Sequence, residues 1–175
     1  MRSYKTEGII LKRTNFGEAD RILTVFTKRH GKTKLLAKGV RRITSRRSPN
    51  IELFNHVVLF IHKGRTFDML SEAQTIETFQ NIRKKLELVG LAYYVCELID
   101  GLCAEHQPHP SVYNLLIQTL EELDRGLIRK FELTLLSELG FLPANKMLSN
   151  LNTTSYIEQL LERRLKTPRL LSRLI

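Results

Sequence analysis

The feature that most constrains this chain is a change of hydrophobic period near residue 77. Before that point apolar residues alternate with polar ones in short runs, and after it they recur every three or four positions. Alternation sends side chains to opposite faces of a strand, whereas the longer repeat lines up one stripe of a helix. The alternating runs are 4–13, centred on Gly8-Ile9-Ile10-Leu11, then 20–28, 32–40, 51–62 and 66–73. Turn chemistry separates them at Asn15-Phe16-Gly17-Glu18, His30-Gly31 and Lys63-Gly64-Arg65, while Arg41 to Pro49 reads as a polar loop. Five amphipathic strands with no helix for a parallel crossover would leave two adhesive edges open. The pattern therefore predicts a small closed antiparallel barrel, with Phe26, Phe54 and Phe60 in its core.

From Ile82 the stripe Ile82, Leu86, Val89, Tyr93, Cys96, Ile99 and Cys103 predicts one long helix, stopped by Gln107-Pro108-His109-Pro110. Ser111 is placed to cap a second helix, Val112 to Leu123, and a third runs from Leu127 to Leu139 and ends at Gly140 before Pro143. A last helix, capped by Thr153, Thr154 or Ser155, reaches about residue 165. The expected organisation is α+β: a barrel over residues 1–78, then an α-helical domain over residues 79–175.

Charge follows the same division. Residues 1–50 hold fourteen Lys or Arg against Glu7, Glu18 and Asp20, while residues 51–175 hold fourteen against fifteen carboxylates, so the net +10 resides entirely in the first part. His30 to Ser48 alone carries seven cations and no acid. Like charges at this density repel unless a polyanion lies against them. Lys32, Lys34, Lys38, Arg41 and Arg42 are the candidate phosphate contacts, with Arg46 and Arg47 as a second set on the loop. Gly39 lets the main chain approach a sugar or phosphate. With no Trp, the candidates for base stacking are Tyr4, Phe16 and Phe67.

Other classes lack support. No phosphate-binding glycine loop, dinucleotide fingerprint or His-Glu-x-x-His occurs, so no catalytic residue, cofactor or enzymatic activity is expected. His30 reads as a turn residue, Glu18 and Asp20 as acceptors for turn amides, and Cys96 and Cys103 as reduced core thiols. No apolar run has the length of a membrane span, and the polybasic loop offers Ile43 alone as an apolar anchor, so a cytoplasmic protein without membrane contact is expected.

Several of these residues fall into a recognisable series: Gly17-Glu18-x-Asp20-Arg21, Thr27-x-x-His30-Gly31-Lys32, Ala37-Lys38-Gly39-Val40-Arg41-Arg42, and later Phe131-Glu132 through Gly140-Phe141-x-Pro143. In combination they resemble the bacterial recombination mediator family RecO over about residues 4–143, with a weaker return near Lys166 to Leu174. The resemblance implies that the barrel is an OB-fold binding single- and double-stranded DNA. It further implies annealing of complementary strands and help in loading recombinase onto DNA coated by single-strand binding protein, with RecR as a partner, in the bacterial cytoplasm at the nucleoid. It also implies a groove in the helical domain for the acidic, apolar tail of the single-strand binding protein. Arg125, Arg129 and Lys130 are the candidates to meet its carboxylates, and Leu116, Leu127 and Phe131 to receive its aromatic side chain. Many relatives insert a four-cysteine zinc module after the Phe-x-Pro segment. Here residues 144–154 contain no cysteine, so no metal is expected. The alternative reading is an RNA-binding OB protein of the translation apparatus.

Overall fold

The computed structural model describes residues 2–142 and 150–174. Pro143 and most of the cysteine-free stretch lie outside them. Five strands come first: β1 (Ser3–Phe16), β2 (Asp20–Thr27), β3 (Gly31–Ala37), β4 (His56–His62) and β5 (Asp68–Glu77). They close into a barrel in the order β1-β2-β3-β5-β4, with β4 pairing back to β1. β1 is long enough to serve two neighbours, because a bulge between Ile10 and Lys12 lets residues 3–9 pair with β4 and residues 8–16 with β2.

The expectation of a wholly antiparallel barrel is corrected at one seam. β3 and β5 pair in parallel through Leu35–Asp68 and Leu36–Met69. The direction is forced: β3 and β4 both run antiparallel to a neighbour of the opposite sense, the loop 38–55 carries the chain across the barrel, and β5, antiparallel to β4, then runs alongside β3 in the same sense. Alternation fills the barrel with Leu23, Val25, Leu35, Ala37, Val57 and Leu59, all fully buried.

Six α-helices follow among the described residues: α1 (Gln80–Arg83), α2 (Leu86–Leu102), α3 (Pro110–Glu121), α4 (Ile128–Glu138), α5 (Thr153–Leu161) and α6 (Thr167–Leu174). The single long helix predicted from Ile82 onward is broken at Lys84-Lys85, and the buried face of α2 is Leu91, Ala92, Tyr94, Val95, Cys96, Leu98 and Ile99, of which the predicted stripe named Cys96 and Ile99. Leu86 and Tyr93 are exposed instead. α3 starts at Pro110, whose missing N–H costs nothing in a first turn, without a Ser111 cap. Asn152, rather than the residues after it, caps α5 by accepting from the Ser155 amide at 3.1 Å.

Barrel and helices share an apolar core. Ile9, Leu11, Phe26 and Phe54 leave the outer wall of the barrel to join α2, α3 and α4 in one cluster. Phe26 and Phe54 were expected inside the barrel, but the period of two turns Phe26 outward beside the inward Leu23 and Val25, where it meets Tyr113 at 6.3 Å between ring centroids. Phe54 meets Tyr93 at 5.1 Å, and Phe60 stays on the open outer face with the Lys5 ammonium 5.1 Å above its ring. A buried carboxylate ties the helices: Glu132, 4% exposed, accepts from the hydroxyls of Tyr94 and Thr153.

Candidate nucleic-acid interface

Where β3 ends, the chain turns through Lys38, Gly39 and Val40 and drops a buried Val40 into the barrel. Gly39 takes φ +66°, a conformation that favours glycine, and its amide donates to Asp20 Oδ1 at 2.7 Å. Asp20 thus accepts from a turn amide, but from the turn that leaves β3 rather than from its own. Arg41 follows, with its amide on the Ala19 carbonyl at 2.9 Å and its guanidinium on the Gly17 carbonyl at 3.2 Å, so it braces the tip of the β1–β2 hairpin. Arg47 straps the loop to the barrel by donating to the carbonyls of Leu70, at 2.9 Å, and Lys38, at 2.5 Å. A buried Ile51 in the 3-10 turn Ser48–Ile51 anchors the far end.

These constraints shape an open basin of about 620 Å³ lined by Asp20, Lys38, Gly39, Arg42, Arg46 and Arg47. Among the described residues the charged groups of Lys38, Arg42 and Arg46 have no hydrogen-bond or ion-pair partner. A cluster of cations facing solvent around a turn, with its one acid held by a backbone amide, is a surface that attracts polyanions. The cationic density is felt nearby: the Arg21 guanidinium is pushed down from its usual pKa by burial first and then by Arg13 and Arg41.

Lys32 and Lys34 are placed elsewhere. The period of two turns both outward, but at this height the outer wall of β3 faces the end of α2. Lys32 is 8% exposed; its ammonium donates to the Asp100 carbonyl and lies 3.4 Å from the Asp100 carboxylate. Lys34 is paired with Glu105 at 2.6 Å. These two lysines therefore fasten the barrel to the helical module, and four of the other five cations, Lys38, Arg42, Arg46 and Arg47, line the basin, while Arg41 braces the neighbouring hairpin. No spacing in the sequence links residue 32 to residue 100, so this division was not legible there.

The helical candidates separate in the same way. Arg125, Arg129 and Lys130 are exposed at the start of α4, Arg125 with Glu87 at 3.9 Å and Arg129 donating to the Leu151 carbonyl at 3.2 Å. Leu127 is half-buried. Leu116 and Phe131, expected to receive a partner's aromatic ring, are 0% and 2% exposed, so they are core residues closed to a ligand in this conformation.

Cys96 and Cys103 are buried and unbridged. Burial pushes both thiols up, Cys103 to about 11. They do not fit a zinc site, because among the described residues no group of three His, Cys, Asp or Glu stands close enough to hold a metal. Likewise, no helix among those residues is long and apolar enough to cross a membrane.

A five-stranded barrel closed as β1-β2-β3-β5-β4, with a helical body packed on its wall, defines the OB-barrel class. The family models for the N-terminal and C-terminal parts of recombination protein O match residues 1–79 and 83–146 respectively. The chain belongs to the RecO family. It is 38% identical to a DNA repair protein RecO of Dehalococcoides mccartyi over 84% of its own length and 60% of the relative's. To the protein of the same description from Symbiobacterium thermophilum it is 39% identical, over 82% and 59% of the two chains, and to that from Listeria monocytogenes 33%, over 79% and 56%. The chain thus spans less than two thirds of the length of these relatives.

Proposed function

We propose that this protein acts in DNA repair and recombination by binding single- and double-stranded DNA on the barrel, over residues 1–78, and partner proteins on the helical module, over residues 79–175. The observation that carries this reading is the basin in which Lys38, Arg42 and Arg46 stand unpaired beside the open turn at Gly39. Each phosphate neutralised there releases condensed counterions, so a few contacts give useful, salt-sensitive affinity with no sequence preference. Such binding leaves base edges free, and two strands held by their backbones can pair. That is the chemistry of an annealing protein, which needs no catalytic group and no cofactor. The family membership extends the proposal to loading recombinase onto DNA coated by single-strand binding protein, with RecR as a partner. The exposed Arg125, Arg129 and Lys130 beside Leu127 suit the acidic tail of the single-strand binding protein, while Lys32, Lys34, Leu116 and Phe131 are left out of both contact sets.

The test is a titration of single-stranded DNA against salt, with the pairing of complementary oligonucleotides followed in parallel. Lys38→Glu with Arg42→Glu is expected to weaken binding more than tenfold, flatten the salt slope and slow pairing. An unchanged titration in a folded variant sinks the basin as the site. A peptide ending Asp-Ile-Pro-Phe is expected to bind the wild type at low salt and to be lost in Arg125→Glu with Lys130→Glu.

A further inference from the structure

Phe16 stands at the end of β1, paired across the β1–β2 hairpin with Asp20, whose carboxylate lines the cationic basin. Its ring is 46% exposed. A large apolar ring at a hairpin tip loses hydrophobic free energy by staying in water, and nothing in the barrel core requires it there. Phe67 comes from a different segment, the loop between β4 and β5, and its ring meets that of Phe16 roughly edge to face, with 6.4 Å between centroids and 64° between planes. Such a pair holds both rings in place while leaving aromatic surface open. Cations flank it: the Arg41 guanidinium is bonded to the Gly17 carbonyl next to Phe16, and Arg21, paired in register with Asn15, donates to that residue's side chain. Phe16 at the rim of the β1–β2 hairpin and Phe67 in the β4–β5 loop stand at the two connections that border the β2–β3 face in this barrel class.

We propose that Phe16 and Phe67 form a stacking point for one unpaired nucleobase, so that a strand whose phosphates lie in the basin is distinguished from duplex by a base seated on the Phe16 ring. This rests on the nucleic-acid reading of the basin and deepens it. Every base has a π-face, so the contact is blind to sequence, but in a duplex both faces of each internal base are already stacked and unavailable. The third aromatic candidate does not share this role: Tyr4 is half-buried, its hydroxyl donates to Asp68 at 2.7 Å and its ring packs on His30 at 4.5 Å.

The experiment compares the full chain with Phe16→Ala, Phe67→Ala and Phe16→Tyr, measuring affinity for a 20-nucleotide oligothymidylate and for a 20-base-pair duplex at several salt concentrations. Phe16→Ala is expected to lose about tenfold or more on the single strand, from the usual worth of one stacked base, with the duplex affinity and the salt slope unchanged. Phe67→Ala loses less, and Phe16→Tyr restores the wild-type value. Since Phe16 is half exposed, its variants keep the wild-type melting temperature. Equal loss on both ligands, a changed salt slope, or no loss overturns the stacking point. If Lys38→Glu with Arg42→Glu weakens binding while the phenylalanine variants do not, only this inference fails. A wild type that binds neither ligand defeats the basin and the stacking point together.

Discussion

Replacing Lys32 by Met separates a fastening role for that residue from a role in DNA contact. The side chain is 10% exposed, its ammonium donates to the Asp100 carbonyl, and the Asp100 carboxylate 3.4 Å away is itself 32% exposed. Methionine keeps most of the stem volume, so the main loss is a charge-assisted hydrogen bond and its ion pair, worth about 1.5–3 kcal/mol when one partner is removed. Asp100 rehydrates at that exposure, which places the cost near the middle, about 2 kcal/mol. For a chain of this size the melting temperature then falls by about 4–8 °C, and the urea midpoint by about 1 M. Lys34→Met removes a pair that is about half exposed on both sides, 49% and 44%, and costs less than about 0.5 kcal/mol. Asp100→Asn leaves the carbonyl acceptor in place and falls between the two. The assay is urea unfolding of all three variants, with DNA binding measured under native conditions. A Lys32→Met protein with the wild-type midpoint, or one that melts normally yet binds DNA poorly, would refute the fastening role.

Gly31 and Gly39 share φ +66°, but an added Cβ at Gly31 would sit 2.2 Å from the Gln107 carbonyl oxygen, whereas at Gly39 nothing lies nearer than 3.8 Å. Gly39→Ala is therefore expected to cost about 1 kcal/mol from backbone conformation alone, and Gly31→Ala distinctly more, with the ratio of midpoint shifts as the check. His56 accepts or donates at 2.9 Å with the Tyr113 hydroxyl between barrel and helices, and its pKa lies below 6.5 through burial, with Lys28 adding to the effect and Glu7 opposing it. The unfolded chain thus binds the proton more readily, so this stability is complete above about pH 6.5 and declines as the pH falls towards the folded value. His30, lowered by burial and by Lys63 and Arg29, acts in the same direction, so the double variant His30→Asn with His56→Gln should show a flatter midpoint–pH curve between pH 7 and 5 than either single one. Glu97 accepts from the amides of Lys166 and Thr167 at 2.8 and 2.9 Å and from Arg163 at 3.1 Å, which holds the start of α6 against α2. Burial alone would raise its pKa, but these donors bring it below the usual value, so Glu97→Gln should destabilise the protein at neutral pH and remove part of its acid sensitivity below about pH 4.5.

Much of the architecture was written in periodicity. The alternation of Leu23 and Val25 against Ile22, Thr24 and Phe26 requires a strand with two unlike faces, and the three-and-four spacing after Ile82 requires helices, because in each case the repeat of the backbone decides which side chains share a face. The charge division was equally plain from composition, whereas the bond from the Gly39 amide to Asp20, nineteen residues away, was not. What periodicity does not record is which face meets which. Phe26 alternates identically whether its side is the barrel interior or a wall covered by helices, and only the docking of α2 and α3 made it part of the second core.

The same limit applies to charge. Lys32, Lys34 and Lys38 are indistinguishable along the strand, each cationic and each outward, yet two face carboxylates more than sixty residues away and one faces water. Local sequence sets the direction of a side chain relative to its own strand; the free energy of its charge depends on what the fold brings opposite. The tertiary structure alone therefore separated the lysines that fasten two modules from the cations left open at the barrel's end. It also brought Phe16 to Phe67 across fifty residues, a contact that the intervening strands, rather than either phenylalanine, determine.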